Sequence, residues 1–403
     1  MPTNAMVFNQ ASTILNAINA QATGAASIGM VNTSDFVSVA NTVLRTGYDA
    51  VFNAINQVLS RTIISTRPYN RKFNGVEADA TRYGNHIRKI SFADNQLENS
   101  SPFAWPAAYD STQTPPSGNG HSVDQQVIKK AQPLQTNFYG VNVYQDHYTI
   151  FRKQLETAFT GPEELVAFTA GITQNMRDRF EQARENLARA VVANFMGGII
   201  DEGAADRVVH LLTEYNAATG LSLTATTVYQ PANFPGFVKW VYGRIAALCA
   251  LMTERSEMFQ TVVNSLHVNR HTPYANQKVY LYAPARYHIE ASVLADIYHD
   301  NYLRMADTET VNFWQSIETP DTINVTPARI GATGAVVTAA APVVQGNIFG
   351  VIFDQEALGY SVLDSRITPA PYNAAGEYSN FWMHEEEKCW NDHTEKGIVL
   401  LLD

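Results

Sequence analysis

The amino-acid sequence predicts an α+β chain, and three stretches point to it. One is a helical stripe from Pro162 to Met196. Another is a Pro-, Gly- and Ser-rich stretch with embedded aromatics near residue 105. The third is a strand-patterned C-terminal third ending on the apolar run GIVLLL. In the first, Gly161-Pro162 opens the segment, Glu163 and Glu164 favour a helix start, and Gly197-Gly198 is expected to close it. Leu165, Phe168, Ile172, Met176, Phe180, Ala183, Leu187, Val191 and Phe195 recur at spacings of three and four, which keeps one apolar stripe on one side. At about 1.5 Å per residue the helix spans roughly 50 Å, against an average of about 11–12 residues per helix in globular domains. A helix of that length is a beam.

The other elements follow in chain order. Residues 1–65 are expected to be an arm. Its opening, MPTNAMVFNQASTILNAINAQATGAASIGMVNTS, is weakly patterned, so its order is expected to come from a partner. Ser34 and Asp35 then cap a helix through FVSVANTVLRTGYDAVFNAINQVLSRTI, with Gly47 as a breaking point. From Arg61 to Lys89 the basic residues Arg61, Arg67, Arg71, Lys72, Arg82, Arg88 and Lys89 face only Glu77 and Asp79. That cluster is expected to serve as a solvated face, as inter-subunit ion pairs, or as a phosphate contact to nucleic acid. The stretch SSPFAWPAAYDSTQTPPSGNGHSVDQQVIKK is a long loop carrying Phe103, Trp105 and Tyr109. Each ring would bury roughly 150–250 Å² against a partner, so the loop is expected to lie across a neighbouring molecule, the alternative being that it folds back on its own domain.

QTNFYGVNVYQDHYTI, with Tyr139, Val141 and Val143 alternating with polar residues, is expected to be a half-buried strand leading into the long helix. Beyond Phe234 a helical block, PGFVKWVYGRIAALCALMTERSEMFQTVVNSL, precedes the strand QKVYLYA and a helix over RYHIEASVLADIYHDNY. Together they suggest a compact unit up to about Val344. The tail's GIVLLL is expected to enter a sheet and return the C-terminus beside the long helix.

Composition narrows the function. Charged residues are 16% of the chain, against about 25% in an ordinary domain, so the surface is rich in uncharged polar side chains suited to protein contact. A formal net charge of -10 argues against a dedicated nucleic-acid binder. Cys249 and Cys389 stand far apart, which indicates neither a disulfide framework nor a zinc finger. The first 34 residues lack Lys and Arg, so no basic signal-peptide region is expected. The uncharged run from Ile330 to Phe353 is interrupted by Pro342, Gln345, Asn347 and glycines, which favours two buried strands over a membrane span.

The common catalytic motifs are absent: no GxSxG, GxxxxGK[ST], HExxH or GxGxxG occurs. His267 and His271 stand four apart without a zincin glutamate. HEEEKCWNDH holds His384, Glu385, Glu386, Glu387, Cys389, Asp392 and His393. On a strand these alternate between faces, and Trp382 and Trp390 fit a packed strand whose charges point to solvent or an interface. No catalytic residue, metal site or cofactor is expected.

The order of these parts, together with the phrases SRTIISTRPYNRKF, YQDHYTIFRKQLETAF and CWNDHTEKGIVLLLD, resembles the major capsid proteins of tailed bacteriophages, built on the Hong Kong 97-like fold. The resemblance covers most of the chain. It implies an N-terminal arm (1–65), an extended loop (66–140), a peripheral domain (141–234) with spine helix 162–196, an axial domain (235–344), and a return to the peripheral domain (345–403). It implies a shell protein forming hexamers and pentamers around a double-stranded DNA genome. Its partners would be its own copies, portal and other virion proteins, and DNA by weak non-specific contact, with no membrane. It would reside in the virion after assembly in the host cytoplasm. Crosslinking through Lys129 or Lys130, known in some relatives, is not expected. Two other readings stand beside it: an encapsulin-like compartment of the same fold, and a metal-dependent hydrolase using His384, Cys389 and His393.

Overall fold

The computed structural model describes residues 4–23, 30, 32–44, 51, 73, 75–78, 86–94, 130–284 and 307–403. It opens with helices α1 (Asn4–Thr23) and α2 (Thr33–Leu44). An antiparallel ribbon pairs β1 (His86–Phe92) with β2 (Pro133–Tyr139), and Gly140 turns the chain into β3 (Asn142–Phe151). Gly140 has φ +99°, a conformation costly for any residue with a Cβ. Then come α3 (Arg152–Ala158), the long helix α4 (Pro162–Glu202), β4 (Val208–His210), α5 (Leu211–Thr219) and α6 (Phe234–Thr253). The strands β5 (Gln277–Tyr282), β6 (Asp307–Val311), β7 (Ile323–Val325), β8 (Ala328–Ile330) and β9 (Val336–Thr338) follow. The tail supplies β10 (Val343–Gln345), β11 (Ile348–Asp354), β12 (Leu358–Pro369), β13 (Tyr378–Asn391) and β14 (Gly397–Leu401).

A five-stranded sheet of order β4-β14-β11-β5-β6 lies between α4 and the pair α5/α6. Every residue of β11 and β14 is buried, and side-chain alternation sorts them into two cores. Val351, Phe353, Val399 and Leu401 pack with Val191, Val192, Phe195 and Ile199 of α4. Ile352, Ile398 and Leu400 pack with Leu212 of α5 and with Phe237, Val241 and Ile245 of α6. Fully burying each such side chain contributes about 1.5–3 kcal/mol. A third core joins α1, α2 and α3 to the start of α4 through Leu15, Phe36, Leu155 and Leu165. The three-stranded sheet β12-β13-β3 packs along the same long helix. Helix α4 therefore ties separate cores together, which accounts for its length of 41 residues.

Several expectations need correction. The long helix does not stop at Met196; it runs through Gly197 and Gly198 to Glu202 and ends at Gly203, which has φ +67°. The two glycines mark close packing. A Cβ on Gly197 would lie 2.5 Å from Val325 Cγ2, and one on Gly198 would strike the His393 ring. The start of the arm packs on its own chain, because Ala11, Ile14, Leu15 and Ile18 of α1 form an apolar face in the third core. The helical block from residue 235 ends at Thr253. Beyond it Phe259, Asn264 and Ser265 take positive φ, which no helix accommodates.

The boundary placed between 344 and 345 cuts through a sheet, since β5 pairs directly with β11 of the tail. Tyr139 and Val143 are not half-buried; both are largely exposed, on either side of the Gly140 turn. In the run 330–353, β11 is wholly buried but β9 is exposed. Among the described residues no helix is long and apolar enough to cross a membrane. The helix expected over residues 286–302 lies outside the described residues.

Candidate assembly interface

The ribbon has two unlike faces. Residues directly opposite in an antiparallel pair share a face. The pairs Arg88↔Asn137, Ile90↔Gln135 and Phe92↔Pro133, with Tyr139 in the same alternation, form one face. On it Ile90 is 47% exposed, Phe92 60% and Tyr139 74%. Ile87↔Phe138, Lys89↔Thr136 and Ser91↔Leu134 form the other, which is partly buried against the body. An apolar surface turned to solvent on a ribbon pinned from behind is suited to contact with another molecule.

The pinning is polar. Lys89 Nζ forms ion pairs with Glu395, with Glu356 Oε2 (3.3 Å) and with Asp392 Oδ2 (3.4 Å). Burial pulls the Lys89 ammonium down, but Asp392 and Glu395 more than offset it, so its pKa ends above the usual lysine value. Arg270 pairs with the same Glu395 and donates to Ser91 Oγ (3.1 Å) and Thr394 Oγ1 (3.3 Å). At the end of β1, Asp94 accepts the Asn269 N–H (2.9 Å) and pairs with Arg255. The Asn269 hydrogen bond leads in holding the Asp94 carboxyl below its ordinary pKa. The turn Asp392–Lys396 that receives Lys89 is itself buried, and Lys396 Nζ donates to Glu254 O (2.9 Å) and Ser256 Oγ (3.1 Å).

Behind this seam the long helix holds the tail. Arg184 Nε donates to Glu385 Oε1 (2.5 Å), and Arg189 pairs with Glu185 while its guanidinium lies 3.7 Å from the Phe313 ring centroid. The His393 ring stacks on Phe195, with centroids 5.0 Å apart, in the space the absent Gly198 side chain leaves. Burial, reinforced by Arg207, drives the His393 pKa down to about 3. Arg207 is fully buried; burial lowers its pKa, and it donates to Glu202 Oε2 (2.5 Å) and Thr261 Oγ1 (2.8 Å).

Leu165, Met176, Phe180 and Val191 are buried, and Phe168, Ile172 and Leu187 are partly buried along α4. The loop aromatics Phe103, Trp105 and Tyr109 lie outside the described residues, as do Arg61, Arg67, Arg71, Lys72 and Arg82. Of the basic cluster, Arg88 points outward, while Lys89 turns inward to carboxylates of its own chain and is in neither a solvated face nor a phosphate contact. Most charges of HEEEKCWNDH do not face solvent or an interface: Glu385, Glu387, Lys388, Asp392 and His393 are buried within the subunit, while Glu386 is partly exposed and pairs with Arg366. The signal was present, because consecutive charges on a strand must point to both faces. For the same reason His384 and Cys389 lie on opposite faces of β13, and His393 is packed on Phe195, so the three do not form a metal site. Among the described residues no group of three His, Cys, Asp or Glu side chains is placed to hold a metal ion.

The family model for the Phi29-like phage major capsid protein matches residues 13–401. A chain in the structure of the head fiber and inner core protein gp22 of native bacteriophage P68 shares the fold, with a TM-score of 0.54 at 8% identity, covering 85% of this chain and 87% of that one. A chain from the capsid structure of Staphylococcus phage Andhra aligns with a TM-score of 0.49 at 11% identity, with the same 85% and 87% coverage. No curated protein sequence matches the chain.

Proposed function

The chain belongs to the Phi29-like phage major capsid protein family, and on that premise we propose that its copies gather into hexamers and pentamers that close an icosahedral head around double-stranded DNA. The observation that carries this reading is the two-faced ribbon, fixed to its own body by Lys89, Arg270 and Asp94 while Ile90, Phe92 and Tyr139 face outward. In this reading residues 66–140 are the extended loop, with the β1–β2 ribbon as its base, and residues 1–65 are the arm. Helix α4 is the spine of a peripheral unit with the sheet β12-β13-β3. The axial unit comprises the five-stranded sheet with α5 and α6, so β11 and β14 of the tail belong to it. Many modest contacts per subunit sum to a stable shell. Portal and other virion proteins are the further partners, and the net charge of -10 keeps contact with packaged DNA local and weak. Assembly takes place in the host cytoplasm. Family membership favours the phage head over an encapsulin-like compartment.

Replacing Ile90, Phe92 and Tyr139 together with Ser tests the reading. The subunit should fold with unchanged secondary structure and fail to form particles. Particles at wild-type yield would refute it.

A further inference from the structure

Strand β3 is the outer strand of the sheet β12-β13-β3, and among the described residues no strand pairs with its other side. The Arg152 N–H donates to Glu377 O (2.8 Å), which extends the register in which Phe151 faces Tyr378. Successive residues of an antiparallel ladder point alternately at the partner and away. Even-numbered residues of β3 therefore bond to β13, and the odd-numbered ones present their backbone outward. Two bonds agree with this: the Phe151 N–H donates to Gln154 Oε1 (3.1 Å) and the His147 N–H to Asp146 Oδ1 (2.9 Å), neither of them in β13. Val143 and Gln145 keep outward N–H groups with no partner among the described residues.

The sheet's two edges are treated differently. On the far side, β12 carries a bulge between Val362 and Asp364, and the charged pair Arg366–Asp364. There the chain's own segment also covers the backbone, with Ala78 N–H donating to Tyr360 O (2.9 Å) and Tyr360 N–H to Val76 O (3.1 Å). Bulges, charges and covering segments are the usual devices that stop a strand edge from pairing. Residues 142–145 of β3 have none of them; the first charge on the strand is Asp146, which pairs with Arg179. Asn142, Val143, Tyr144 and Gln145 are exposed in succession, and the apolar Val143 and Tyr144 stand on opposite faces beside the open donors.

We propose that in the assembled shell a strand from a second copy of this chain pairs along the open edge of β3, accepting the Val143 and Gln145 N–H groups. The proposal rests on the reading of the chain as a shell protein, which supplies the occupant: in a shell of identical subunits, another copy is the neighbour each edge meets. Main-chain bonds give such a contact its affinity, and side chains at alternate positions give it register.

Hydrogen exchange on the full, unmodified chain, free and in particles, tests it. The Val143 and Gln145 amides should exchange at least about tenfold more slowly in particles, whereas the even-numbered amides are already protected in the free subunit. Equal rates at Val143 and Gln145 in both states would overturn the proposal. Gln145→Pro, which removes only an outward N–H and suits an edge strand, should leave the subunit folded and cut particle yield at least about tenfold. Tyr144→Pro, which removes a bond to β13, should instead destabilise the subunit itself. Wild-type yield of Gln145→Pro particles would also overturn the proposal; were that variant to unfold, the exchange result decides. Failure of the unmodified chain to form particles at all would sink the shell reading, a different outcome from either of these.

Discussion

Two glycines on one helix should respond in opposite directions to the same substitution. Gly to Ala inside a helix ordinarily stabilises by about 0.5–1 kcal/mol, because alanine loses less backbone entropy on folding. At Gly171 a Cβ would meet nothing within 4 Å, so Gly171→Ala should gain that amount. At Gly198 the new Cβ would strike His393 Nε2 and lie 2.9 Å from Cε1 and 3.1 Å from Cδ2 of the same ring. The ring has nowhere to go. It is fully buried and stacked on Phe195. Overpacking of this kind costs about 1–3 kcal/mol, and contact with three ring atoms places it in the upper half of that range. After the propensity gain, Gly198→Ala should lose about 1–2 kcal/mol, which sets the two variants about 2 kcal/mol apart. Urea unfolding of unassembled subunits measures this as midpoint shifts at constant slope. Adding His393→Ala to Gly198→Ala should relieve the clash, and the double-mutant cycle gives its size. Shifts of the same sign for both glycines, or a Gly198→Ala subunit as stable as wild type, would refute the close-packing account.

Two further outcomes are expected. His393 is held neutral down to about pH 3 in the folded subunit, against about 6.5 in the unfolded chain. Below pH 6.5 the unfolded state therefore binds a proton that the folded state refuses. The contribution is fully present above pH 6.5 and is lost as pH falls toward 3, by up to about 1.4 kcal/mol per pH unit. His393→Leu should flatten the stability–pH curve in that window, and parallel curves for the two proteins would contradict it. Lys89→Met leaves Glu395 with Arg270 alone and should loosen the ribbon by about 1–3 kcal/mol. Hydrogen exchange over residues 86–94 should quicken, and unchanged protection would show that the seam is held by other groups.

How much could be read from residues alone depended on whether a signal was local. The stripe from Leu165 to Val191 and the run GIVLLL are periodic or continuous over short distances, so helix and strand followed from them. The end of the helix was misplaced because Gly197-Gly198 looks the same whether glycine ends a helix or admits a neighbour, and that neighbour, His393, lies far along the chain. The packed character of α1 was hidden by its mixture of Asn, Thr and Ala, whose burial depends on α2 and α4. Buried charge was the hardest to see. Glu385, Asp392 and Glu395 find Arg184, Lys89 and Arg270 only through the fold. For the same reason the seam behind the ribbon, which positions the outward apolar face, left no motif in the sequence.

The most direct test of self-assembly is electron microscopy of the purified full-length chain at concentrations well above micromolar. The account predicts closed polyhedral particles of uniform size. A field of separate subunits under the same conditions, with the ribbon folded and its outward face bare, would contradict it.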